Sequence, residues 1–353
     1  MRTRHLRTSA SVLVLSAALA GCSGGEGPLP LGGAPSGRAS ALGTGGAATG
    51  LETGYEQVVA KVLPSVVQIV TDQGEGSGVV FDNAGNIVTN AHVVAGAKEF
   101  EVFPSSGGPG LPATLVGSFT AGDLAVVRVD DAGLPAATFG ESSRLKVGQL
   151  VLAMGSPLGL SGSVTNGIVS ATGRTVSSRQ EGSFPGATIS NAVQTSAAIN
   201  PGNSGGALAT MDGGVIGIPT LSAGTSDGAA SGIGFAIPSD TVKNIAPQLI
   251  SSGKVTNSGR AALGVTIAQT VNISSGEQDG VAVVAVTPGG AAEQAGIKTG
   301  DVITAVDGQA TDSTTGLAEI LAERQVGQTV PVEIRRDGET RTVNVKLGEL
   351  PGS

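Results

Sequence analysis

Three segments carry the residue types of nucleophilic catalysis. His92 stands in Asn90-Ala91-His92-Val93-Val94, Asp123 opens Asp123-Leu124-Ala125-Val126-Val127, and Ser204 lies in the glycine-rich Asn200-Pro201-Gly202-Asn203-Ser204-Gly205-Gly206. A serine hydroxyl is a weak nucleophile until a base takes its proton. A neutral imidazole is the base best matched to neutral pH, and a buried carboxylate holds its tautomer and stabilises the imidazolium that forms. Glycines beside Ser204 let backbone N–H groups face a developing oxyanion, with the amides of Gly202 and Ser204 as candidate donors. Singly, each piece has a plain structural reading: a hydrogen-bonded core histidine, a strand-capping aspartate, a tight Gly-Asn-Ser-Gly-Gly turn. Together, in the order His, Asp, Ser with spacings of 31 and 81 residues, they point to acyl transfer at Ser204.

The elements that must position these residues are mostly strands. Residues 55–250 contain short Val- and Ile-rich runs, among them Ser65–Thr71, Gly78–Phe81, Asn86–Asn90, Leu124–Val129 and Leu150–Met154, separated by Gly, Asn, Asp and Pro. That pattern predicts an antiparallel all-β sandwich or barrel domain. Helices are expected only over Gly54–Leu63, Ser239–Ser251 and part of Ala91–Ala97. A composition shift at Ser251–Gly259 opens a second, small α+β domain over 258–350. Its strands are expected near Val281–Val286, Asp301–Val306, Val330–Arg335 and Arg341–Leu347, and its helices over Gly290–Ala295 and Ser313–Arg324.

Composition narrows the function. At about 150 residues per domain, 353 residues predict two or three domains. The 57 glycines show no three-residue period, which excludes collagen. A net charge of −8 argues against a nucleic-acid partner. One Cys and two His, His5 and His92, leave no intrachain disulfide and no Cys- or His-rich metal centre, so neither metal nor cofactor is expected. Residues 1–21 read as an export signal: Arg2, Arg4 and Arg7 precede an apolar Ala10–Ala20 stretch too short to span a bilayer. Its end, Leu19-Ala20-Gly21-Cys22, resembles a bacterial lipobox, which implies cleavage before Cys22 and lipidation of its thiol. The Gly-, Ala-, Ser- and Pro-rich stretch 22–54 reads as a flexible tether.

The longer strings resemble the HtrA (Deg-type) serine proteases, trypsin-like enzymes with C-terminal PDZ domains. They are Gly76-Ser77-Gly78-Val79-Val80, Asn86–Val94, Asp123–Val127, Gln194-Thr195, Ala197–Gly206 and Gly234–Ser239, within a likeness covering about 55–349. The resemblance implies two six-stranded antiparallel β-barrels with the triad in the cleft between them, cleavage of unfolded or misfolded proteins preferably after small aliphatic residues, and a homotrimer built through the segment near Tyr55. Departures are Ser196 for the usual Asp, Ser156 and Leu158 for Asn and Phe, and Pro219 for a common Asn; all sit around specificity and activation loops.

In the C-terminal domain, Ala262-Leu263-Gly264-Val265 resembles the carboxylate-binding loop of a PDZ domain, and Thr287–Ile303 resembles the bacterial PDZ signature. Backbone N–H groups at Leu263, Gly264 and Val265 would capture a peptide's terminal carboxylate while the peptide adds as an extra strand. Leu317, Ile320 and Leu321 are candidate groove lining or ordinary core. The expected protein is a serine endoprotease lipid-anchored in the cell envelope, facing outside the cytoplasm, with unfolded proteins and peptide C-termini as partners. The alternative is a tethered peptide-binding or chaperone-like protein that cleaves little; the complete triad favours the protease.

Overall fold

The computed structural model describes residues 45–351 apart from 131–132, 157–161, 179, 181, 201, 226–227 and 272–277. The signal and Cys22 readings, and Leu158, lie outside the described residues. Helix α1 (Gly45–Val62) begins well before Gly54, inside the stretch whose composition reads as tether. Its C-terminal half buries Val58 and Val62. A helix already nucleated by packing extends backward cheaply through Ala47 and Ala48, despite the glycines among them.

The first barrel closes in the order β1 (Val66–Thr71), β2 (Glu75–Val80), β3 (Asn86–Thr89), β6 (Leu124–Val129), β5 (Leu111–Phe119) and β4 (Phe100–Pro104), with β4 returning to β1. The four-residue helix α2 (Ala91–Val94) follows β3. The second barrel closes as β10 (Ala207–Thr210), β11 (Val215–Thr225), β12 (Gly228–Pro238), β9 (Thr188–Thr195), β8 (Ser163–Ser177) and β7 (Leu150–Gly155), with β7 returning to β10. Helix α3 (Ser239–Ser252) ends on Gly253, whose φ of 69° is the left-handed value a helix C-terminus favours.

The strands that carry the site are buried on both faces, which is why they read as continuous apolar runs rather than alternations. On β6, Ala125, Val127 and Val129 join the cluster of the first barrel with Val67, Ile69 and Ile87. Leu124 and Val126, on the opposite face, join a cluster shared between the barrels with α1, α3, Leu152, Met154, Ile218 and Ile237. On β7, Val151 and Ala153 face the second barrel's own cluster. The connection from β8 to β9 crosses over: Phe184 and Ala187 are buried in the first barrel's cluster.

The C-terminal part forms a sheet in the order β14 (Val265–Val271), β15 (Gln278–Val286), β16 (Val302–Val306), β18 (Thr329–Arg336) and β19 (Glu339–Lys346), with β17 (Gln309–Ala310) on β16. A separate pair joins β13 (Ala261–Ala262) to β20 (Gly348–Glu349). Helices α4 (Ala291–Gln294) and α5 (Thr314–Ala322) complete it, α5 capped by the Ser313 hydroxyl, which accepts from Gly316 N–H at 2.9 Å. Leu317 and Ile320 are buried in its core with Leu263, Ile303 and Ile334, so their apolar spacing serves packing, while Leu321 is partly exposed. Asp301 is buried and held by the Arg336 fork at 2.6 and 2.7 Å. Among the described residues no helix is long and apolar enough to cross a membrane.

Candidate active site

Asp123 ends the 3-10 turn Thr120–Gly122 with φ 54° and ψ 38°, a left-handed conformation that Asp tolerates better than most residues. Its N–H donates to Thr120 O at 3.1 Å. This turn of the backbone, made just before β6, leaves the carboxylate buried at 1 % exposure and against His92. His92 Nδ1 lies 3.0 Å from Oδ1 and 2.9 Å from Oδ2, and the His92 backbone N–H donates to Oδ1 at 2.9 Å. One carboxylate therefore fixes both the ring and the short helix that bears it. With Asp123 ionised, Nδ1 is the donor, and Nε2 is left as the basic nitrogen. The buried Asn90 Nδ2 donates to Asp123 O at 3.1 Å, pinning the end of β3 to the same turn. Phe184 packs on the imidazole at 5.8 Å between ring centroids and 64° between planes.

A β-bulge supplies the next partner. The register of β11 on β12 shifts between Pro219 and Leu221, which pair with Ala236 and Phe235, so Thr220 is the extra residue. A bulge re-aims a side chain, and the buried Thr220 hydroxyl donates to Asp123 Oδ2. The Thr220 carbonyl accepts from the Ser204 hydroxyl at 3.4 Å. One residue thus touches the carboxylate and the serine, from opposite ends of the arrangement.

The loop around Ser204 is built by close backbone approach. A Cβ on Gly205, whose φ is 83°, would lie 2.1 Å from Ser77 O and 2.6 Å from Thr89 Oγ1. A Cβ on Gly206 would lie 2.1 Å from Met154 O. Only glycine fits either place. Within the loop, the N–H of Asn200 donates to Asn203 Oδ1 at 3.0 Å, and those of Asn203, Gly205 and Gly206 donate to Asn200 O, Pro219 O and Asn203 O at 3.2, 2.9 and 3.1 Å. Among the described residues, the N–H groups of Gly202 and Ser204 donate to nothing. Ser77 braces the loop from the first barrel. Its N–H donates to Ser204 O at 2.9 Å, its hydroxyl donates to Gly202 O at 2.5 Å, and that hydroxyl accepts from Ser156 N–H at 2.9 Å.

In the C-terminal part, Leu263 O and Gly264 O accept from Ala292 N–H and Thr287 N–H at 2.8 and 2.9 Å, and Gly264 has φ 75°. The Leu263–Val265 loop is thus anchored through its carbonyls. It leads directly into β14, the edge strand of the sheet, along which α5 packs.

Two closed barrels, with a buried Asp bonded to His92 and joined through Thr220 to a glycine-framed serine, define a trypsin-like serine endopeptidase carrying a PDZ domain. Residues 76–218 match the trypsin-like peptidase domain family and 261–347 the PDZ domain family. The chain is 41 % identical to serine protease PepD of Mycobacterium tuberculosis, over 97 % of this chain and 74 % of that protein. It is 43 % identical to serine protease Do-like HtrA of Lactococcus lactis subsp. cremoris, over 78 % and 71 %. It is also 41 % identical to a probable periplasmic serine endoprotease DegP-like of Halomonas elongata, over 79 % of this chain and 57 % of that one. Among solved structures, HtrA-type protease AlgW with decapeptide superposes with TM-score 0.56 at 31 % identity, over 85 % and 99 % of the chains. The serine endoprotease from Yersinia pestis gives 0.55 at 34 %, over 84 % and 98 %. The chain belongs to the HtrA family of serine proteases.

Sequence reasoning nominates His92, Asp123 and Ser204 but gives no role to Ser77, Thr220 or Phe184. Ser77 lies in the Gly76–Val80 string and Thr220 directly after Pro219, so both neighbourhoods were visible. What each side chain touches depends on strand pairing between distant segments.

Proposed function

We propose that Ser204 is the nucleophile, His92 its general base, and Asp123 the carboxylate that orients and charge-balances the imidazole, with Gly202 N–H and Ser204 N–H forming the oxyanion hole. The observation that carries this reading is the bonding of Asp123 to both the ring and the backbone of His92, while Thr220 joins that carboxylate to Ser204. His92 Nε2 takes the Ser204 proton as Oγ attacks a peptide carbonyl, and returns it to the leaving amine. The two unengaged amides receive the negative oxygen.

The substrates in this reading are unfolded or misfolded proteins, and the Leu263–Val265 loop takes the carboxylate of a peptide C-terminus. The edge position of β14 supports peptide binding there, and the related AlgW structure, which contains a decapeptide, supports peptide binding by this family member. The periplasmic description of the Halomonas relative supports a site of action outside the cytoplasm. Residues 1–21 then act as a signal, Cys22 as a lipid-anchored residue, and the chain assembles as a trimer through the region of Tyr55; the lipobox-like string and the family resemblance support these points. The protease domain is assigned to 55–250 and the PDZ domain to 258–350.

Casein digestion by the full chain tests the catalytic reading. Ser204→Ala and His92→Ala should each lower turnover ~10⁴-fold or more, and the double variant no further. Digestion by Ser204→Ala at the unaltered rate would refute it.

A further inference from the structure

The segment that joins the barrels to the PDZ domain is fastened at several points. Val255 and Leu350 pack on the cluster shared by the barrels. Ser258 Oγ donates to Leu350 O at 2.7 Å and accepts from Arg260 N–H at 3.2 Å, and Arg260 O accepts from Leu350 N–H at 2.8 Å. Gly259 N–H donates to the Glu349 carboxylate at 2.7 Å. Arg260 leads directly into β13 and then the Leu263–Val265 loop. Its backbone is therefore part of the base of the PDZ domain, while its side chain reaches into the first barrel. Nη1 donates to Ala121 O at 2.5 Å, across 139 residues of sequence.

Ala121 is the middle residue of the 3-10 turn Thr120–Gly122 that ends on Asp123. The left-handed φ of 54° at Asp123 is costly for a residue with a side chain and persists only where surrounding contacts hold it. Two holds on the backbone of the turn come from the barrels: Asp123 N–H on Thr120 O, and Asn90 Nδ2 on Asp123 O. A third comes from Arg260. Its guanidinium is mostly buried, its Nε has no partner, and among the described residues no carboxylate forms an ion pair with it. A cation buried without a counter-charge weakens a fold, and desolvation pulls this one down to about 10. What the buried group secures is the Ala121 carbonyl, two residues before the catalytic carboxylate.

We propose that Arg260 is a positioning residue of the proteolytic reaction: from the base of the PDZ domain it holds the turn that aims the Asp123 carboxylate at His92. This rests on the assignment of Ser204, His92 and Asp123 to catalysis. A hydrogen bond from a charged donor is stronger than one between neutral groups, so the turn is gripped more firmly than its own backbone bonds would hold it. Arg260 acts through Asp123, which serves the general base and not the peptide. Its loss therefore falls on the chemical step, with substrate binding unchanged.

Steady-state cleavage of a short peptide with an amidated C-terminus, by the full chain well below its unfolding midpoint, tests the assignment. Arg260→Met keeps the stem and removes every donor together with a buried charge, which favours a folded variant. The expected result is a ~10-fold fall in kcat, from the loss of one hydrogen bond to a charged group, with KM within about twofold. Arg260→Lys, which keeps a donor, should regain part of the rate. A kcat in Arg260→Met equal to that of the unaltered chain, a rise in KM that accounts for the loss, or an equal loss in Arg260→Lys overturns the proposal. Should Arg260→Met fail to fold, Ser258→Ala decides: it releases the Arg260 backbone N–H and leaves the guanidinium in place, so kcat should fall about threefold with KM unchanged. An unaltered kcat there refutes the assignment. Cleavage by Ser204→Ala at the unaltered rate would instead show that the catalytic reading fails, and this one with it.

Discussion

The Ser77 hydroxyl, on the second strand of the first barrel, donates to the carbonyl of Gly202 on the loop that presents Ser204, at 2.5 Å. The same oxygen accepts from Ser156 N–H at 2.9 Å, so one buried side chain joins the first barrel, the serine loop and the end of β7. Holding the Gly202 carbonyl on Ser77 fixes the orientation of that stretch of loop, whose amides form the proposed oxyanion hole.

Ser77→Ala leaves the part-buried Gly202 carbonyl and the buried Ser156 N–H without these partners, at about 1–3 kcal/mol. The expected outcome is a fall in kcat of ~10-fold or more on a peptide substrate, with KM little changed and the chain still folded. A kcat equal to that of the unaltered protein would remove Ser77 from the machinery.

Thr220→Val keeps the shape and removes the hydroxyl that donates to Asp123 Oδ2. Loss of a hydrogen bond to a charged group costs about 1.5–3 kcal/mol, so kcat should fall ~10-fold or more. Thr220→Ser, which restores the hydroxyl, should recover most of it. Equal rates for the Val and Ser variants would show that packing, not the hydrogen bond, is what matters there.

How far the sequence discloses this site depends on the kind of information each residue carries. His92, Asp123 and Ser204 announce themselves because reactive side chains sit in segments whose composition has no other obvious use. Ser77 and Thr220 are ordinary residues whose importance comes from a fold-made juxtaposition: 125 residues separate Ser77 from Gly202, and 97 separate Thr220 from Asp123. The strands were legible because burial on both faces makes unbroken apolar runs. The start of α1 was not, since glycines before Leu51 hide a helix that packing at Val58 and Val62 sustains. Arg260 gave no sign at all, because an arginine in a polar linker looks solvent-exposed until its neighbours are known.

The PDZ part should show an acid-sensitive component. Burial alone would raise the Asp301 carboxyl, but the Arg336 fork and Lys298 N–H at 2.8 Å more than offset this, and it is held below 3.8. A group depressed in the folded state binds fewer protons there than when unfolded, so its stabilisation is complete above 3.8 and is lost as pH falls toward the lower folded value. The stability gap between the protein and Asp301→Asn should be constant at neutral pH and close below about 4. A gap of constant size through that range would disprove the linkage.

Peptide capture at the Leu263–Val265 loop depends on a free carboxylate accepting charge-assisted hydrogen bonds. Binding of hydrophobic peptides to the full Ser204→Ala chain, followed by fluorescence anisotropy, should weaken when the peptide C-terminus is amidated. Equal affinity of acid and amide forms would exclude carboxylate capture.

Phe184 belongs to the second barrel by chain order and to the first by packing, where it covers one side of His92. A growing chain therefore finishes the first six strands long before it possesses the ring that completes their interior. The environment of the imidazole closes only after the hairpin of the second barrel has been made and folded back. A half-made molecule thus holds His92 and Asp123 but neither the wall that packs on the imidazole nor Ser204.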